Sequence, residues 1–107
     1  MEKVVVFAEE FHQDIENLIT VLFEKEYFGF KSDCQSYAEK IYDFVEDNID
    51  LPVSKITPLS FHKFGKRYLK YKANHRTTWY IFFTEKNGRF LVTHILNNHS
   101  KDFLDLL

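Results

Sequence analysis

At 107 residues the chain fits one small domain, large enough to bury a single core without staples. The lone Cys34 excludes an internal disulfide and reads as a small buried hydrophobe of a reducing compartment. The apolar run Val4-Val5-Val6-Phe7-Ala8 is too short for a secretory core or a membrane span, so a soluble cytoplasmic protein is expected.

A net charge of −2 conceals a segregation. Residues 1–54 carry 4 basic side chains (Lys3, Lys25, Lys31, Lys40) against 13 acidic ones, a balance of −9. Residues 55–101 carry 10 basic side chains and one acid, Glu85, a balance of +9, before Asp102 and Asp105 restore the total. Such asymmetry is produced either by a polyanion partner such as nucleic acid or by two halves that neutralise one another across an internal contact.

In chain order, Lys3 to Phe7 is short and β-branched and suits a strand. Ala8 to Glu26 switches to helical spacing, with Phe11, Ile15, Leu18, Leu22 and with Ile19, Phe23 toward one side. Gly29 interrupts the pattern, and Ser32 with Gln35 three residues on has the form of a capping box opening a second helix. That helix turns Tyr37, Ala38, Ile41, Phe44, Val45 and Ile49 inward. Pro52 and Pro58 mark an irregular connection, and Gly65 reads as a loop glycine, since no strand and helix flank it as a phosphate loop requires. Three segments of period two follow, at about 66–72, 76–84 and 89–97. The expected fold is one α+β domain over residues 1–107, β-α-α-β-β-β, with an N-terminal helical hairpin packed on one face of a small, mainly antiparallel sheet.

Alternation assigns the faces of these strands. Leu69 and Tyr71 share a face with Arg67, and Tyr68, Lys70 and Lys72 share the other. Thr77, Trp79, Ile81 and Phe83 form a core face, with Arg76, Thr78, Tyr80, Phe82 and Thr84 opposite. In the last strand Phe90, Val92, His94 and Leu96 are expected inward, and Leu91, Thr93, Ile95 and Asn97 outward. Asn87-Gly88 is a strong type I′ hairpin signal. It pairs Lys86 with Arg89, Phe83 with Val92, Ile81 with His94, Trp79 with Leu96, Thr78 with Asn97 and Arg76 with His99. A three-residue turn at 73–75 sets Lys72 beside Arg76 and Lys70 beside Thr78; a two-residue Asn74-His75 turn would reverse the parity of that strand. The shared core is expected to hold Phe11, Ile15, Leu18, Leu22, Ile41, Phe44, Val45, Leu69, Trp79, Ile81, Phe83, Val92 and Leu96.

One sheet face then carries Tyr68, Lys70, Lys72, Arg76, Thr78, Tyr80, Asn97 and His99 with no carboxylate among them. Like charges opposite one another destabilise a sheet, whereas cations interleaved with tyrosines suit phosphate and base contacts. Solvated edge lysines that block aggregation account for Lys66 and Lys86, and account poorly for Arg76 opposite His99. His94, inward by parity, reads as a hydrogen-bonded core histidine, and no metal or other cofactor is expected.

The segment "KFGKRYLKYKANHRTTWYIFFTEKNGRFLVTHILNNHSKDF", with its "RTTWY" strand and late "NNH", resembles the C-terminal half of a branch of the RelE/ParE superfamily of bacterial type II toxins, and "LFEKEYFGF" at 22–30 resembles that branch's helical-hairpin joint. The resemblance implies the same β-α-α-β-β-β order and a ribosome-dependent mRNA endoribonuclease. Its active face would be lined by Lys70 and Lys72, by Arg76 and by His99, with Lys63, Lys66, Tyr68, Thr78, Tyr80, Asn97, Asn98 and Lys101 contacting RNA. The chain departs from the pattern in having a single Arg on this face and no Tyr after His99. The implied chemistry is metal-free cleavage by the RNA's own 2′-hydroxyl, with His99 exchanging protons and the cations stabilising the phosphorane. Implied partners are a cognate acidic antitoxin, the ribosome and mRNA, and no membrane. The alternatives are a ParE-type toxin that inhibits DNA gyrase and a degenerate RNA-binding module.

Overall fold

The computed structural model describes residues 3–24, 32–73 and 77–99, with the side chains of residues 23 and 32–35 outside that description. Gly29, the Ser32/Gln35 capping box, the Cys34 side chain, Asn74, His75, Arg76 and Lys101 therefore lie outside the described residues. The chain runs β1 (Val4–Phe7), α1 (Glu9–Glu24), α2 (Ser32–Asn48), β2 (Lys55–Ile56), a single 3-10 turn (Leu59–Phe61), β3 (Arg67–Lys72), β4 (Thr78–Lys86) and β5 (Arg89–Asn97). The class is α+β, as the periodicities require. The two-residue β2 and the 3-10 turn are additions to the expected order.

α1 opens with Glu9 and Glu10, whose charge complements the exposed N–H groups of the first turn. Phe11, Ile15, Ile19 and Leu22 recur along one stripe and are buried, as are Ile41, Val45 and Ile49 on α2. Both stripes pack on Leu69, Trp79, Ile81, Phe83, Val92 and Ile95 of the sheet. Strand order is β1-β5-β4-β3-β2, with β1 parallel to β5 and the other pairs antiparallel. The Lys3 ammonium lies 3.3 Å from Asp50 and joins the start of β1 to the residues after α2.

The β4-β5 hairpin begins as its turn demands. Asn87 (φ 54°) and Gly88 (φ 80°) both take positive φ, Lys86 faces Arg89, and Phe83 faces Val92. The next rung pairs Phe82 with His94, so Thr93 is an extra residue in β5. Every later partner is displaced by one. Ile81 faces Ile95, Tyr80 faces Leu96 and Trp79 faces Asn97, in place of the expected His94 and Leu96 partners of Ile81 and Trp79. Ile95 and Asn97, expected outward, are turned to the helix side and buried. His94 and Leu96, expected in the main core, are on the far face.

The bulge sits where it disturbs one ladder instead of two. Pairing with β1 ends at Phe7 and Val92, and the Ala8 N–H closes it on the Val92 carbonyl at 2.8 Å. Beyond that point β5 has no neighbour on that side among the described residues, and an extra residue is readily accommodated at such an edge. The displacement also trades an imidazole for an isoleucine in the apolar core. His94 instead stacks on Phe64, with centroids 4.0 Å apart, and its Nδ1 lies 3.1 Å from the Asp14 carboxylate of α1.

The far face has a core of its own. Phe61, Tyr80, Phe82 and Leu96 are buried there, with Phe64 and Tyr68 packed at the margin. Residues 57–66 fold back over the sheet: the Thr57 N–H donates to the Lys66 carbonyl at 3.0 Å, and the Thr93 hydroxyl donates to the Phe64 carbonyl. Gly65 allows this approach, because a Cβ there would stand 2.7 Å from the Phe83 nitrogen. Tyr80 and Phe82 are thus outward by parity, as expected, yet covered.

Between β3 and β4 the Ala73 N–H donates to the Thr77 carbonyl at 3.0 Å, and Lys72 faces Thr78 while Lys70 faces Tyr80. The register is two residues away from the expected one, which keeps the parity. The expected 73–75 turn falls largely on residues outside the description, and Ala73 is bonded to Thr77.

Candidate nucleic-acid interface

Lys70 and Lys72 alternate with buried Leu69 and half-buried Tyr71, so pleating alone turns both ammonium groups to the far face, where they are exposed. Neither makes an ion pair among the described residues; the pairs there are Lys3 with Asp50 and His94 with Asp14. Beneath the lysines, Tyr68 and Tyr80 lie with ring centroids 6.1 Å apart. Tyr80 retains 7% of its surface, and burial first, then the neighbouring Tyr68, holds its hydroxyl above the ordinary tyrosine pKa. Tyr80 is therefore a neutral floor under the lysines, not the base-stacking platform expected of it. Half-buried Tyr68 is the tyrosine whose ring reaches the surface beside Lys70.

The expected single face is divided by the bulge in β5. Asn97 retains 2% of its surface on the helix side, where its Oδ1 accepts the His99 N–H at 2.8 Å. The His99 Nε2 lies 3.2 Å from the Thr77 hydroxyl, on the same side. The expected Arg76–His99 rung lies outside the described residues, as Arg76 does. Asn98 closes the ladder: the Thr78 N–H donates to its Oδ1 at 3.0 Å, and its own N–H donates to the Thr78 carbonyl at 3.1 Å. Lys72, Thr78 and Asn98 form one rung, and Ala73, Thr77 and His99 form the next. Lys72 and His99 thus lie at the same end of the sheet, one rung apart and on opposite pleats, with β4 between them.

Two residues expected in the core and given no part in the site complete this end. Tyr37 of α2 accepts the Trp79 indole N–H at 2.9 Å and is hydrogen-bonded to the Thr77 side chain. Burial is the main cause that raises the Tyr37 pKa, with the Trp79 bond acting the other way. The available signal was Thr77 itself, a polar side chain at core parity two residues before a tryptophan, which had to find a partner inside.

Lys63 and Lys66 lie toward the opposite end of β3, roughly 20 Å from Lys72 for Lys66 at strand spacing. The Lys63 ammonium sits 5.1 Å from the Phe64 ring centroid. Lys66 and Arg67 border a groove of about 670 Å³ on the side of Phe83 and Phe90. Arg67 is fixed there by Ser54, through Nε to Oγ at 2.8 Å and a second donor to the Ser54 carbonyl at 3.1 Å. Among the described residues no three His, Cys, Asp or Glu side chains gather to hold a metal ion, and no helix is long and apolar enough to cross a membrane. Comparisons with protein-family models, with curated proteins and with solved structures each find no match.

Proposed function

We propose that this protein is a RelE/ParE-type toxin of a bacterial type II toxin-antitoxin system, acting as a metal-independent, ribosome-dependent mRNA endoribonuclease. The observation that carries the reading is the pair Lys70 and Lys72, exposed together without a carboxylate partner among the described residues and running toward the sheet end that holds His99. The +9 balance of residues 55–101 and the resemblance of residues 63–103 support it. In this reading the lysines, with Arg76 and Lys101 from outside the described residues, grip phosphates. The 2′-oxygen attacks phosphorus, the bond to the 5′-oxygen breaks, His99 exchanges the proton, and the cations stabilise charge on the five-coordinate phosphate. A cognate antitoxin with an acidic segment that folds on binding would neutralise the same surface.

The separation of His99 from the lysines by the pleat supports a second reading. In it the basic surface binds without cutting, as a gyrase-inhibiting toxin or an RNA-binding module. Primer extension on cellular mRNA after induction distinguishes the two. Codon-linked cuts that disappear in His99→Gln are expected. Intact transcripts together with a DNA-damage response would replace the first reading with gyrase inhibition.

A further inference from the structure

The two edges of the sheet are protected unequally. β2 is two residues long, carries Lys55 and lies between Pro52 and Pro58, the devices by which natural sheets discourage pairing with a foreign strand. β1, at the other edge, is VVVF, with no charge and no proline, and it exposes Val4 (44%) and Val6 (51%). Its inner side is paired: the Val4 N–H donates to the Gly88 carbonyl at 3.2 Å and the Ala8 N–H to the Val92 carbonyl at 2.8 Å. In a parallel pair every second residue turns both backbone groups to the neighbour, so Val4, Val6 and Ala8 face β5. The N–H and C=O groups of Val5 and Phe7 then point away from the sheet, and no described residue bonds to them. Side chains alternate as well. Val5 and Phe7 pack toward the helices, which leaves Val4 and Val6 on the far face, where Val6 stands beside Leu91, itself 45% exposed.

We infer that β1 is a self-pairing edge: two copies of this chain join their β1 strands antiparallel about a twofold axis, making one sheet of ten strands from two of five. Symmetry selects the occupant and the register. Within β1 one twofold register gives every outward group of Val5 and Phe7 a partner, namely Val5 with the second copy's Phe7 and Phe7 with its Val5. Val6 then meets the second copy's Val6 in a close pair that makes no hydrogen bonds, Cα atoms about 4.5 Å apart. The exposed side chains form one apolar row across the junction, Leu91 and Val6 followed by the second copy's Val6 and Leu91. Lys3 is carried toward Glu9 and Glu10 at the start of the second copy's α1, a complementary charge. β3 lies three strands away from β1, so both basic surfaces stay open, roughly 34 Å apart at strand spacing. The pairing is independent of the RNA reading.

Sedimentation equilibrium of the full chain from about 10 μM to 1 mM reads the mass directly, in the range suited to a junction smaller than a standard interface. A monomer-dimer equilibrium is expected. Val6→Lys, at an exposed position, sets two ammonium groups at the axis and should weaken association by about tenfold or more. Val5→Pro removes an outward N–H and none of the β1-β5 bonds, so it should weaken association as well. Ile56→Lys, which charges the exposed apolar residue of the β2 edge, should leave association unchanged. Oxidation with diamide in a Cys34→Ser background reads the register and serves also if Val6→Lys does not fold. Val6→Cys should cross-link the two copies, and Val4→Cys, which faces the second copy's Ala8, should do so far less. A chain that stays monomeric throughout this range would overturn the proposal and leave β1 to a strand of another protein. Association unmoved in folded Val6→Lys and Val5→Pro proteins, or equal cross-linking of the two cysteine variants, would overturn it too.

Discussion

The Trp79 indole donates to the Tyr37 hydroxyl at 2.9 Å and so ties α2 to the central strand of the sheet. Trp79 has no exposed surface, and its neighbours Ile81 and Phe83 belong to the same core. Trp79→Ala should cost about 3–5 kcal/mol by leaving a cavity. Tyr37→Phe keeps the ring but strands the buried indole N–H, at about 1–3 kcal/mol. Urea unfolding of the two variants measures both; a Trp79→Ala protein as stable as the parent would contradict the burial of this side chain.

Gly65 supplies a second stability test. A methyl group at this position would meet the Phe83 backbone at 2.7 Å, in a segment held on both sides by the Lys66 carbonyl bond and the Thr93 hydroxyl bond. Gly65→Ala should therefore lose about 1–3 kcal/mol through overlap with main chain that cannot rotate away. The second core should loosen first, which hydrogen exchange in residues 57–66 would reveal. An unchanged melting temperature would mean that this segment stands off from β4.

For the basic strand the expectation separates binding from stability. Lys70→Ala and Lys72→Ala remove exposed charges and should change folding by less than about 0.5 kcal/mol. Each should reduce the slope of log affinity against log salt for single-stranded RNA by about 0.7, one released counterion per lost phosphate contact. Binding titrations at several salt concentrations give the slope. If the double variant keeps the parent slope, the phosphate path does not run along β3.

Alkaline pH should weaken the fold. Tyr37, Tyr42 and Tyr80 all have pKa values raised above the ordinary 10.0, with burial as the leading cause in each. A group whose folded pKa lies above its unfolded value stabilises fully below the unfolded value, and that stabilisation is lost as pH rises through the folded one. The unfolding free energy from these residues should thus stay level to about pH 9 and decline above about pH 10, with phenolate absorbance rising as the protein unfolds. Tyr37→Phe should make the decline shallower. A folding stability that grows over this range would reverse the sign and refute the assignment.

The helices and the hairpin turn were legible in the sequence because their signals are local. The stripe Phe11, Ile15, Ile19, Leu22 fixes which side of α1 is buried, and Asn87-Gly88 fixes the first rungs of β4 and β5 through two positive φ angles. Face assignment on β3 also survived, since an error of two residues in register preserves parity.

The division of the candidate site was decided by tertiary structure. Strict alternation placed His94 and Leu96 inward, and the extra residue Thr93 reversed both, together with Ile95 and Asn97. The sequence carried two hints. Thr93-His94 sets two polar residues between Val92 and Ile95, and Trp79 through Phe83 is apolar at both parities, which signals a strand covered on both faces. Neither hint says which residue is the extra one or what covers the second face. Those depend on where β1 stops pairing with β5 and on Gly65 bringing the Phe61–Phe64 segment against β4, contacts between residues far apart in the chain. Local propensity acts over a few residues, whereas a one-residue bulge takes its stability from the edge on which it falls and the core it completes, so the chain alone determined the lysines' face and the packed fold determined that His99 would lie on the other.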